Sequence, residues 1–219
     1  MSIQAINLDF YGTLVDWLPI WIEVSEKIVK ENKIDLSAKE FALQWRKIQR
    51  QLLDGQTFIP YKENIKLALD NLCNQQNIGN IGYHELLFNK WNEIKPYPEA
   101  NEVLKSLKLK YKIAVCTNSA RDLFDICAKK LPIKFDYLLI SDETKINKPH
   151  KKMYQAAIKS LGVDIKNILH VASSQMDVKG GTNAGLAVCW INRGKEERMP
   201  QTPKPKFEIY DLRGLNKIL

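Results

Sequence analysis

Residues 6–17 read INLDFYGTLVDW. Ile6 to Asp9 have the apolar character of a buried strand ending in a carboxylate. Gly12 then allows the chain to turn before a new aromatic-rich run starts. A glycine two or three residues beyond a strand is a common turn signal, and an aspartate there is often no more than a turn or cap residue. The pattern of the remaining chain shows which fold this first strand belongs to. From residue 96 onward short apolar runs alternate with amphipathic stretches. Strands are predicted at 4–9, Lys112–Thr117, Tyr137–Ser141, Ile168–Ala172 and Leu186–Ile191, with a weaker one at Phe207–Tyr210, and helices at about 98–110, 119–131, 149–161 and 176–184. Near-continuous apolar strands separated by helices are the pattern of a parallel sheet covered on both faces. The expected fold class is therefore α/β, a doubly wound, Rossmann-like core.

Residues 14–95 have a different rhythm. Trp21, Val24 and Ile28, then Phe41, Trp45, Ile48 and Leu52, then Ile65, Leu69 and Leu72, then Leu86, Leu87 and Trp91 recur at helical spacing, with turns expected at Asp54-Gly55 and Gly79–Gly82. This predicts a helical cap of about four helices inserted after the first strand. The core would then comprise residues 1–13 and 96–219.

The 219 residues are 45% hydrophobic and 26% charged, an ordinary globular balance. The net charge of +8 comes mostly from lysines spread through nearly every segment. A nucleic-acid surface concentrates charge on one face and favours arginine, so no nucleic-acid partner is expected. No run approaches the roughly 20 apolar residues of a membrane span, and the first residues read as a strand rather than a signal peptide. The four cysteines show no metal-ligand spacing, which points to a reduced, cytoplasmic setting. Tryptophans of the insert, taken as exposed, offer a face through which two copies could pair as a homodimer.

In open α/β sheets ligands bind beyond the carboxyl ends of the strands. Those positions hold Asp9-Phe10-Tyr11-Gly12-Thr13, Thr117-Asn118-Ser119, the loop to Lys148, and Ser173-Ser174-Gln175-Met176-Asp177. Two carboxylates, a lysine and several hydroxyl and amide groups would meet at one edge. A positioned aspartate can be a nucleophile, the start of a helix after Asn118 can seat an anion, and a lysine can keep Asp9 ionised. The histidines, His84, His150 and His170, are expected to be structural or exposed.

The succession D-x-Y-G-T-L, T-N-S, K-P-x-x-x-x-Y, S-S-x-x-D, G-x-x-x-A-G-L and W-I-N-R, with W-R-x-x-Q at Trp45–Gln49, resembles the haloacid dehalogenase superfamily, and within it the L-2-haloacid dehalogenase branch. Phosphatases of the superfamily carry a second aspartate two residues after the nucleophile and a G-D-x-x-x-D motif that helps hold magnesium. Here Tyr11 and Ala172-Ser173 occupy those places. A site short of a carboxylate holds magnesium poorly, whereas displacing halide from carbon requires neither metal nor proton donor.

The resemblance implies an (S)-2-haloacid dehalogenase with no cofactor and no metal, whose partner is a small 2-haloalkanoate. Asp9 would attack C2 to form an ester, while Arg46 and Asn118 receive the halide. Backbone N–H groups after Asp9, at Phe10 and Tyr11, with Thr117 and Lys148, would bind the substrate carboxylate, the Tyr11 ring would line the pocket, and Thr13 would steady Asp9. Asp177, aided by Ser174 or Lys148, would position the hydrolytic water, with Tyr154 and Ser173 supporting from behind. Met176 stands where the branch often has an aromatic, and Ser174 where it has an asparagine. A phosphatase of the same superfamily and an inactive binding protein on this scaffold are the competing expectations.

Overall fold

The computed structural model describes residues 2–55, 57–79 and 82–219. The chain opens with β1 (Ala5–Leu8), all of whose side chains are buried, and turns at Gly12 into a two-residue strand, β2 (Val15–Asp16). Four helices come next: α1 (Leu18–Asn32), α2 (Ala38–Leu53), α3 (Tyr61–Gln75) and α4 (Tyr83–Asn89). Asp54 and Gly55 end α2 as expected, while Asn80 and Ile81 of the expected Gly79–Gly82 turn lie outside the described residues. The chain returns through β3 (Lys95–Pro96), which pairs antiparallel with β2, so the outgoing and incoming chains are laced together where they meet the sheet. Strands of two residues have no periodicity to reveal them, and none was expected here.

The remaining elements alternate: α5 (Ala100–Lys108), β4 (Lys112–Thr117), α6 (Arg121–Ala128), β5 (Tyr137–Ile140), a short α7 (Ser141–Thr144), α8 (Lys151–Leu161), β6 (Ile168–Ala172), α9 (Gln175–Asn183), β7 (Ala187–Ile191) and β8 (Phe207–Ile209). Ser141, expected as the last residue of a strand, instead opens α7, its hydroxyl donating to the Ser119 carbonyl and accepting from the Ser119 N–H. The six long strands run parallel in the order β5-β4-β1-β6-β7-β8. With β1 central and the chain winding to either side of it, the carboxyl ends of β1, β4 and β6 open onto one crevice.

Helix α2 matters most to that crevice. Ser37 and Glu40 cap its start reciprocally. Its buried face holds Phe41, Trp45 and Leu53, and the Trp45 indole donates to the Ile65 carbonyl at 2.9 Å while its ring lies 4.5 Å from that of Trp21. These anchors to α3 and α1 fix the rotation of α2 about its axis. One apolar cluster runs without a break from β1 and α6 through Tyr11 and Trp91 into the insert helices.

The insert tryptophans correct one expectation. Trp21, Trp45 and Trp91 are buried and Trp17 is half-buried, so they form core rather than an exposed pairing face. Burying so large a side chain removes more apolar area from water than any other residue can.

Candidate active site

Asp9 comes directly after β1, its backbone N–H bonded to the Val171 carbonyl of the neighbouring strand at 2.9 Å. Its carboxylate accepts from the Thr13 hydroxyl at 2.8 Å and from the Lys148 ammonium at 2.7 Å. Lys148 also donates to Asp177 at 2.5 Å, so one buried ammonium bridges two carboxylates that come from opposite ends of the chain. Burial alone would lower the pKa of Lys148. The carboxylates of Asp177 and Asp9 outweigh it and hold the ammonium above the ordinary lysine value. Burial would likewise raise Asp177, but Lys148 and His170 outweigh that and keep its carboxyl well below the usual carboxylate range.

Asp177 takes two further hydrogen bonds, from the Tyr154 hydroxyl at 2.6 Å and from His170 Nε2 at 2.9 Å. His170 Nδ1 lies 3.0 Å from the Asn7 amide nitrogen and 3.1 Å from the Asn7 carbonyl, so it has a partner whether it accepts or donates. Burial, and then Asp177, push the Tyr154 hydroxyl well up, so it remains a donor. His170 was expected to be a satisfied core residue. It is satisfied, but by the site itself: it is buried, and two hydrogen bonds through Asp177 link it to Lys148. An all-apolar strand around it concealed this.

The pocket is lined by Asp9, Tyr11, Arg46, Arg50, Leu53, Thr117, Asn118, Lys148, Pro149, Ser174, Met176 and Asp177. It thus gathers most of the residues singled out from the sequence. Arg46 packs over the rings of Trp17 (5.2 Å) and Trp21 (6.0 Å) and donates to Gln49, so two indoles from outside W-R-x-x-Q and the motif's own amide position the guanidinium, while the motif's Trp45 turns into the helix core. Asn118 spends both ends of its amide on the Lys148 backbone, donating to the carbonyl at 2.9 Å and accepting from the N–H at 2.7 Å. It therefore locks the lysine loop as well as lining the pocket. Tyr11 keeps its ring at the pocket but turns its hydroxyl away to Ser119 (3.2 Å) and Trp91 (3.3 Å).

Other expected residues are placed differently. The Phe10 ring is buried against Tyr11 and Phe124 and does not reach the pocket. Ser174 lines the pocket and also caps α9, accepting from the Asp177 N–H at 3.2 Å while keeping its own O–H free to donate. Ser173 takes no part behind Lys148 or Asp177. Its hydroxyl sits against Gly12, where an added Cβ would lie only 2.9 Å away, and its carbonyl accepts from the Trp190 indole. Arg50 and Leu53, one and two turns beyond Arg46 on α2, were missed, although i, i+4 spacing puts Arg50 on the face of Arg46.

A magnesium ion needs several oxygen ligands converging on one position. Here the Lys148 ammonium fills the space between the two carboxylates. Among the described residues no three His, Cys, Asp or Glu side chains are grouped to hold a metal. The donor set does not fit that ion.

The sheet order and the crevice define a doubly wound α/β protein with two lysine-bridged carboxylates at the central switch point. The family model for haloacid dehalogenase-like hydrolases matches residues 3–185. The chain belongs to that family. It is 30% identical to haloacetate dehalogenase H-2 of Moraxella sp. (strain B), over 96% of both chains. It is 27% identical to an (S)-2-haloacid dehalogenase of Pseudomonas sp. (strain YL), over 97% of this chain and 93% of that one. The solved L-2-haloacid dehalogenase RSc1362 superposes with a TM-score of 0.87 at 23% identity, covering 100% of this chain and 99% of the other.

Proposed function

We propose that this protein hydrolyses the carbon–halogen bond of (S)-2-haloalkanoic acids, giving (R)-2-hydroxy acids and halide. The observation that carries this reading is the Asp9 carboxylate, held by Thr13 and Lys148 and facing a pocket that Arg46 also lines. Full-length likeness to (S)-2-haloacid dehalogenases supports it.

In this reading an Asp9 oxygen attacks C2 from the side opposite the halogen. The carbon–halogen bond breaks, and the halide departs with the bonding electrons toward Arg46 and Asn118. Thr13 and Lys148 keep the nucleophile aligned, which is the main requirement of a displacement that needs no acid. Thr117, Lys148 and the backbone beyond Asp9 hold the substrate carboxylate. The ester removes the charge of Asp9 and leaves Lys148 to Asp177. Water positioned by Asp177 and Lys148 then adds to the ester carbonyl, the hydroxy acid leaves, and each turnover releases one halide and one proton. Tyr154 and His170 keep Asp177 in place. Residues 14–95 act as the cap that carries Arg46 to the nucleophile and excludes water from the first step. We place the enzyme in the cytoplasm, where its four free, buried cysteines stay reduced.

The test is halide release from (S)-2-chloropropionate without added metal. Turnover is expected in the native protein, falling by about four orders of magnitude or more in Asp9→Asn. Absence of halide, with metal-dependent release of phosphate from phosphoglycolate, would overturn the reading.

A further inference from the structure

The pocket holds one cation that the proposed reaction leaves unused. Arg46 is cushioned by two indole rings and Gln49. Arg50, one turn later on the same helix, lines the same pocket with no such support. Among the described residues no carboxylate lies within ion-pair distance of it, and Asp9 and Glu196 act on it only through their longer-range fields. Burial and the neighbouring Arg46 push its pKa down to about 10, and it is still cationic at neutral pH. Like charges at i and i+4 repel, and a partly desolvated guanidinium without a counter-ion is costly. A wider groove begins where the pocket ends, sharing Arg46, Arg50, Pro149, Ser174 and Met176 with it and continuing past Lys47 and Lys179. Asp54 and Glu196 are its only carboxylates among the described residues. Arg50 therefore stands at the junction, where the chain of a substrate bound at Asp9 would emerge.

An alkyl tail gains nothing from a cation there. We propose that Arg50 is a specificity-determining residue that receives a second carboxylate, making 2-halodicarboxylates of the chlorosuccinate type the preferred substrates. This rests on the dehalogenase reading for the reaction but not for the binding. The distal carboxylate takes no part in the chemistry: Asp9 displaces the halide at C2, water cleaves the ester, and an (R)-2-hydroxydicarboxylate leaves with both carboxylates intact.

Two measurements on the full chain separate the possibilities. Calorimetric titration with the unreactive ligands succinate, propionate and inorganic phosphate is expected to show succinate binding at least about tenfold tighter than propionate. That ratio is expected to collapse in Arg50→Leu and in the more polar Arg50→Gln, both checked for native melting. In parallel, kcat/KM for halide release should favour (S)-2-chlorosuccinate over (S)-2-chloropropionate, with the ratio falling about tenfold in both variants. Halide from neither acid, with the succinate preference and its loss in both variants intact, would sink the dehalogenase reading while supporting the second-carboxylate site. Halide from chloropropionate with no dicarboxylate preference, or a ratio unmoved by both variants, would overturn the inference and leave the reading standing. So would tight phosphate binding without succinate binding.

Discussion

Asp177 is held by three donors, and its environment makes predictions at the scale of single residues. Its depressed folded pKa contributes stability that is fully present above about pH 4, the unfolded carboxylate value, and is lost as pH falls through the folded value. Lys148 behaves oppositely: its raised pKa contributes stability present below about 10.4 and lost as pH rises through the folded value. Chemical denaturation should find Asp177→Asn less stable than native at pH 7, with the gap narrowing below about pH 4. A gap independent of pH would contradict the assignment. Lys148→Met leaves two buried carboxylates facing each other and should cost about 3–5 kcal/mol in the same assay. That Asp9, Lys148 and Asp177 come together was legible in the sequence because Asp9 and Asp177 follow strands where ligands bind and Lys148 ends the loop that leads into K-P-x-x-x-x-Y. His170 and Arg50 were not. One is surrounded by core residues in the chain, and the other looks like any charge on a helix until the fold aims it.

At the scale of elements, glycines set how closely parts approach. Gly12 has φ +87°, and a Cβ there would meet Ser173 Oγ at 2.9 Å and the Trp17 indole nitrogen at 3.2 Å. Gly12→Ala should therefore cost about 1–3 kcal/mol, read from the denaturant midpoint. Gly180 on α9 leaves room for the Tyr154 ring, which an added Cβ would strike. Gly180→Ala should move Tyr154 off Asp177 and lower turnover by about 10–100-fold, with the circular dichroism spectrum unchanged. The Arg193 guanidinium stacks 3.5 Å from the Tyr97 ring centroid, pairs with Glu99 at 2.8 Å and donates to the Thr13 carbonyl at 3.1 Å, so it ties the loop after Asp9 to the returning chain. The strands and helices of the α/β region were legible to within about three residues because their apolar runs are long relative to their boundaries. The β2–β3 lacing and α7 were not, since neither is long enough to have a period.

At the scale of the whole molecule, α2 brings Arg46 and Arg50 to the pocket at the carboxyl edge of the sheet, and the excess of 33 Lys and Arg over 25 Asp and Glu is consistent with an anionic substrate. Raising ionic strength should lower kcat/KM for the haloacid more than kcat, because screening acts on encounter. The proposed reaction turns on a covalent bond between Asp9 and the substrate. A single turnover in water enriched in heavy oxygen, with enzyme in excess and products read by mass spectrometry, tests that bond directly. The label is predicted in the peptide that carries Asp9, with the hydroxy acid unlabelled. A labelled hydroxy acid beside an unlabelled Asp9 would mean that water attacks carbon itself, and would contradict the proposed mechanism.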